Sequence, residues 1–107
     1  MKLKFPKTIK VGSEVFEVRL DKKNVDAEFS FAFQGKPAFI RIGIEDIKVS
    51  KIAVLERIIH ELKEIIQVDQ RVRYRKPDDN AYEFHYGHRE HTQFCSILAS
   101  ILDEFIV

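Results

Sequence analysis

The spacing of apolar and polar positions changes period along the chain. From Thr8 to Val11 and from Val15 to Leu20 it has the period of two expected of a strand with one buried face. Phe16, Val18 and Leu20 alternate there with Glu17 and Arg19, and Gly12-Ser13 supplies a turn between the two runs. Asp21-Lys22-Lys23-Asn24 reads as a polar loop. Phe29, Phe31 and Phe33 then alternate with Ser30, Ala32 and Gln34. Gly35-Lys36-Pro37 breaks that strand, and Ala38 to Gly43 forms the next. Four short strands in two hairpins are expected. The last has two readings, an edge that pairs with an extended peptide or a plain core strand, and the core strand is preferred.

The period then lengthens to that of a helix. Leu55, Ile58, Ile59, Leu62, Ile65 and Ile66 recur at i, i+3, i+4 and i+7 and predict a buried stripe, with Ser50 as the cap. Glu56, Arg57, His60, Lys63, Glu64 and Gln67 fall on the opposite face. After Asp69, Arg71-Val72-Arg73-Tyr74-Arg75 and Tyr82-Glu83-Phe84-His85-Tyr86 alternate about the turn-rich Lys76-Pro77-Asp78-Asp79-Asn80. They predict a third hairpin, with Val72, Tyr74, Tyr82, Phe84 and Tyr86 towards the protein and Arg73 and Arg75 facing Glu83 and His85. A final helix runs from about His88 to Phe105, with Phe94, Cys95, Leu98, Ile101, Leu102 and Phe105 as its stripe. The fold class is α+β: an antiparallel sheet of about four strands packed against two helices, with an additional hairpin between the helices.

Composition narrows the picture. The 107 residues suit a single domain, and 45% hydrophobic residues with nine Phe can fill its core. A net charge of +1 gives no global argument for nucleic acid or membrane as partner. No apolar run approaches the ~20 residues of a membrane span. The first residues, Met1-Lys2-Leu3-Lys4-Phe5-Pro6-Lys7, lack the apolar core of a signal peptide, so a cytoplasmic protein is expected. A single cysteine, Cys95, excludes an intrachain disulfide. Arg71, Arg73, Arg75 and Lys76 with the tyrosines of the 71–86 hairpin suggest a nucleic-acid patch that stacks bases between cations, but Asp78, Asp79 and Glu83 favour a salt-bridged hairpin.

The candidate chemistry lies in His60-Glu61-Leu62-Lys63-Glu64, one residue away from the His-Glu-x-x-His signature of zinc hydrolases. Residues four apart share a helix face, so His60 and Glu64 can reach one metal ion. Zinc accepts imidazole and carboxylate, and a catalytic site needs three protein ligands and one open position. Glu61, about 100° round the helix from His60, takes the place of the general base that deprotonates metal-bound water. On the bland reading, His60 is a solvated histidine on a charged face. The third ligand is sought among His85, His88, Glu90 and His91. His91 falls within the apolar stripe of the last helix, one turn before Cys95, with Glu90 at its edge and His88 a partial neighbour. His60, Glu64 and His91 would make two histidines and a carboxylate, a common catalytic zinc set. His60 and Glu64 face away from the sheet, so the last helix must wrap to their side. Cys95 reads as a small core residue rather than a soft ligand or a nucleophile paired with His91.

Strand hairpins, a helix bearing Ile59-His60-Glu61-Leu62 and a final helix together resemble the short zincin-type metallopeptidase proteins of phages and mobile elements. The resemblance covers roughly residues 8 to 105. It implies a first helix carrying His-Glu-x-x-His and a glutamate on the last helix completing the metal site. This chain has Glu64 in place of the second histidine, and Glu90 or His91 at the last position. A His-to-Glu exchange at 64 matched by Glu-to-His at 91 keeps the ligand set. The resemblance implies a zinc-dependent hydrolase acting on peptides or proteins. It supports as its alternative a catalytically inactive relative of phage or mobile-element origin that keeps the fold, has lost the metal, as replacement of the second histidine implies, and serves as a binding or interaction protein.

Overall fold

The structure, a computed structural model, describes residues 1–70, 73–75, 82–84 and 88–107, with 73–75 and 82–84 described as backbone. The elements are β1 (Thr8–Val11), β2 (Glu14–Asp21), β3 (Ala27–Ser30), β4 (Phe39–Gly43), α1 (Lys51–Asp69), β5 (Arg73–Arg75), β6 (Tyr82–Phe84) and α2 (His88–Asp103). The α+β class expected from the sequence is what forms: one open four-stranded sheet, two helices and a two-stranded ribbon between them.

The sheet order is β1-β2-β4-β3. The two expected antiparallel pairs are present, β1 with β2 and β3 with β4. They join through β2 and β4, which run parallel, with Val18 beside Ile40 and Leu20 beside Ile42. The sheet is therefore mixed, not antiparallel throughout. The physical reason lies in β4, whose Ile40 and Ile42 are fully buried, whereas β3 carries the exposed Glu28. The more apolar strand takes the inner place, as parallel strands do. β4 is thus an inner strand, as the preferred reading had it, and not a peptide-pairing edge; β3 and β1 hold the edges.

Turn chemistry matches geometry at two glycines. Gly12 has φ +62° in the β1–β2 turn, the left-handed region that glycine enters without cost. At Gly43 a Cβ would lie 2.4 Å from the Asp26 carbonyl oxygen, to which the Gly43 N–H donates at 2.7 Å. The expected third Phe strand stops at Ser30, because Gln34 and Gly35 both take positive φ in a tight turn that bridges Phe33 to Lys36. Phe29 and Phe31 still pack edge-on against each other, and Phe31 against Phe16, while Phe33 is exposed.

α1 begins as expected, with the Ala53 N–H donating to Ser50 Oγ at 3.1 Å. Its buried stripe is Val54, Ile58, Leu62, Ile65 and Ile66, joined by Glu61 and Gln67. Leu55 and Ile59 are only half-buried, and Gln67, expected in solvent, is covered. The stripe is turned by about one row from the apolar-only reading. It packs on Ile9, Val11, Phe16, Ile40 and Ile42 of the sheet and on Ile101 and Phe105. α2 lies against α1 and β1, on the β1 side of the sheet, while α1 also covers β3 and β4. The end of the chain is tied to its beginning, the Lys4 N–H donating to the Phe105 carbonyl at 2.8 Å.

In the ribbon, Arg73 pairs with Phe84, Tyr74 with Glu83 and Arg75 with Tyr82. This register is one residue off the expected pairing of Arg73 and Arg75 with Glu83 and His85. The roles read for Arg71, Val72, Lys76, His85 and Tyr86 lie outside the described residues, as does the turn at 76–80. Among the described residues, no helix is long and apolar enough to cross a membrane.

Candidate metal centre

The centre is set by the middle of α1. Arg57 fixes the helix to the end of the sheet: it donates to the Gly43 carbonyl at 3.0 Å and binds the Asp46 carboxylate through two nitrogens, one at 2.6 Å. The hydrogen bonds from Arg57 lower the pKa of Asp46, and the Asp46 carboxylate raises that of Arg57. One turn on come His60 and Glu64, with Nε2 and Oε1 3.9 Å apart. The imidazole is 69% exposed and the carboxylate 29%. Zinc ligands in a tetrahedral shell at 2.0–2.1 Å from the ion stand about 3.3 Å apart.

Glu61 is the residue whose position the pattern does not announce. It is 7% exposed, on the same helical row as Val54, Ile58 and Ile65. Burial raises its pKa, and the neighbouring Glu64 carboxylate raises it further, while His60 opposes the shift. Glu28 of β3 and Arg41 of β4 also act on it, so this part of α1 lies over the β3–β4 half of the sheet. One donor atom each from His60, Glu61 and Glu64 lie within 4.8 Å of one another. All three come from five consecutive residues of one rigid element, so little ordering is required for them to meet one ion.

The α2 candidates are placed differently. His91 is exposed, with Nε2 3.7 Å from Cys95 Sγ, and Cys95 is exposed too. Neither faces the core as expected. The covered row of α2 runs through Phe94, Ile97, Leu98 and Ile101, shifted away from 91 and 95. Glu90 is half-buried, and its carbonyl accepts from Gln70 Nε2 at 3.0 Å. His88 is exposed, its carbonyl accepting from Thr92 Oγ1 at 2.9 Å. The start of α2 is thus tied to Gln70, about 9 Å of helix rise beyond Glu64 and about 15 Å beyond His60. Among the described residues, the group of three donors contains His60, Glu61 and Glu64 and does not contain His91. The expected set is brought together in its α1 half, with Glu61 as the third member.

No family model, curated protein or solved structure matches this chain. The zincin-type resemblance rests on the helix motif and the order of elements alone.

Proposed function

We propose that α1 binds one divalent cation through His60, Glu61 and Glu64, and that the protein is a zincin-like, metal-dependent hydrolase acting on peptides. The carrying observation is the approach of an imidazole and two carboxylates to within 4.8 Å on one helix. Their donor chemistry, nitrogen with oxygen, suits zinc. Bound zinc would supply a Lewis acid and an acidified water. His60 and Glu64 hold the ion on the open side of the helix. Glu61 approaches from the buried side, where its raised pKa suits a group that ligates when ionised and takes up a proton when not.

Elemental analysis of protein purified without an affinity tag tests the reading. About one zinc per chain is expected, and zinc should raise the melting temperature of the natural chain but not of His60→Ala. Absence of bound metal, with His60→Ala and the natural chain melting alike in zinc, would overturn it.

One observation favours a second reading, a catalytically inactive binding protein of the same fold. A general base must reach solvent water, and Glu61 is buried. A folded chain that hydrolyses no peptide, whether or not zinc is bound, would select this reading over the first.

A further inference from the structure

The open sheet ends in β1 and β3, and the two edges are not alike. An edge strand turns a row of unpaired N–H and C=O groups outward, and proteins guard such rows with proline and lysine. β1 is guarded: Pro6 precedes it, and Lys7 and Lys10 are exposed beside and along it. β3 carries neither residue type. Its outward row follows from its pairing with β4. The Gly43 N–H donates to the Asp26 carbonyl at 2.7 Å. By antiparallel alternation, Glu28 and Ser30 then exchange hydrogen bonds with Arg41 and Phe39. Ala27 and Phe29 are the residues between, and their N–H and C=O groups point away from β4. Among the described residues, nothing bonds to them.

The side chains of β3 suit a second copy of the same strand. Laid antiparallel with Phe29 opposite Phe29, each Glu28 faces Ser30 of the other copy. Sliding the copy towards the start of β3 would instead set Glu28 against Glu28 or Asp26, like charges that directly opposed positions disfavour. Charge thus selects the register centred on Phe29. Glu28 is itself held by Arg41 Nε at 3.1 Å on its own sheet. Val25 and Phe33, 52% and 68% exposed, stand four residues to either side of Phe29. The same antiparallel arrangement carries each Val25 towards Phe33 of the other copy.

We propose that β3 pairs antiparallel with β3 of a second copy of this chain, across a twofold axis at Phe29. The Phe29 N–H and C=O groups bond reciprocally to their counterparts, and the two open sheets become one continuous sheet. Such an interface is self-complementary, as a twofold contact requires, and it removes the unguarded edge. The inference is independent of the metal reading, since no residue of β3 belongs to the α1 group.

Analytical ultracentrifugation of the full chain tests it, in reducing buffer so that the exposed Cys95 cannot link copies. The mass should rise from 12.6 kDa towards twice that value as concentration goes from micromolar to millimolar. Ala27→Pro removes an outward N–H and leaves the ladder to β4 intact. It should weaken dimerisation about thirtyfold, two hydrogen bonds being lost per dimer. Ser30→Lys meets Glu28 of the other copy and should tighten the dimer about fivefold, whereas Ser30→Glu should weaken it by about the same factor. Circular dichroism and melting establish which variants fold; should Ala27→Pro fail to fold, the opposite signs at Ser30 decide. A chain that stays monomeric at millimolar concentration overturns the proposal. So does a dimer untouched by a folded Ala27→Pro, or one that the two Ser30 variants do not shift in opposite directions.

Discussion

α1 and α2 each carry a histidine with a second donor four residues on: His60 with Glu64, and His91 with Cys95. The side-chain separations are close, 3.9 and 3.7 Å. What differs is the third group. On α1 the adjacent Glu61 is drawn under the helix and meets the pair from below. On α2 the neighbours at 90 and 92 turn elsewhere, and both members of the pair stand on an exposed row. Helical spacing makes pairs readily; the direction in which the helix packs decides whether a pair becomes a trio.

The comparison can be broken at several strengths. Ile58 lies fully buried one turn before Glu61, and Ile58→Ala should cost about 2–5 kcal/mol in denaturant unfolding. Ile97→Ala, on the half-buried row of α2, should cost less than half of that; equal costs would mean that the two helices are seated alike. Next comes zinc. At a hundredfold excess over the dissociation constant, a ligand confined to the folded state adds about 2.7 kcal/mol. Calorimetry should find this gain abolished in His60→Ala and kept in His91→Ala. Loss in both variants would return His91 to the site and remove the contrast.

Glu61 gives a smaller effect with a defined sign. Its folded pKa is raised, so the folded chain holds more proton than the unfolded one. The stability tied to this group is complete below the ordinary glutamate range and is lost as pH rises through the raised value. Glu61→Gln should flatten that part of the metal-free stability profile, and zinc binding by the natural chain should release a proton and strengthen with pH. An unchanged profile would place Glu61 in water. The smallest effect belongs to α2: Cys95→Ser should change stability by under about 0.5 kcal/mol, as exposed substitutions do, and a larger loss would show the pair to be buried.

Ser50, the Gly12 turn and the two long helices could all be read from the chain, because each is a local signal. Strand adjacency could not. Alternation tells which side chains share a face but not which strand comes next, so the parallel contact of β2 with β4 was hidden. Within the candidate site, the pairing of His60 with Glu64 on one helix face was legible from their spacing. Glu61 as a buried member was not, because a stripe drawn through apolar residues alone passes over a carboxylate. The signal was available: Glu61 is seven residues after Val54, three after Ile58 and four before Ile65. At α2 the same method erred the other way, counting Cys95 inside because it is apolar, although the covered row passes through Ile97.

The β2–β4 contact has a consequence for how the chain assembles. β1–β2 and β3–β4 can each zip up through a nearby reversal, whereas the seam between them unites residues such as Val18 and Ile40 from separate ribbons. Distant encounters of this kind set the pace of folding. Trimming Val18 should slow the approach to the native state, while trimming the periphery of either ribbon should chiefly hasten escape from it.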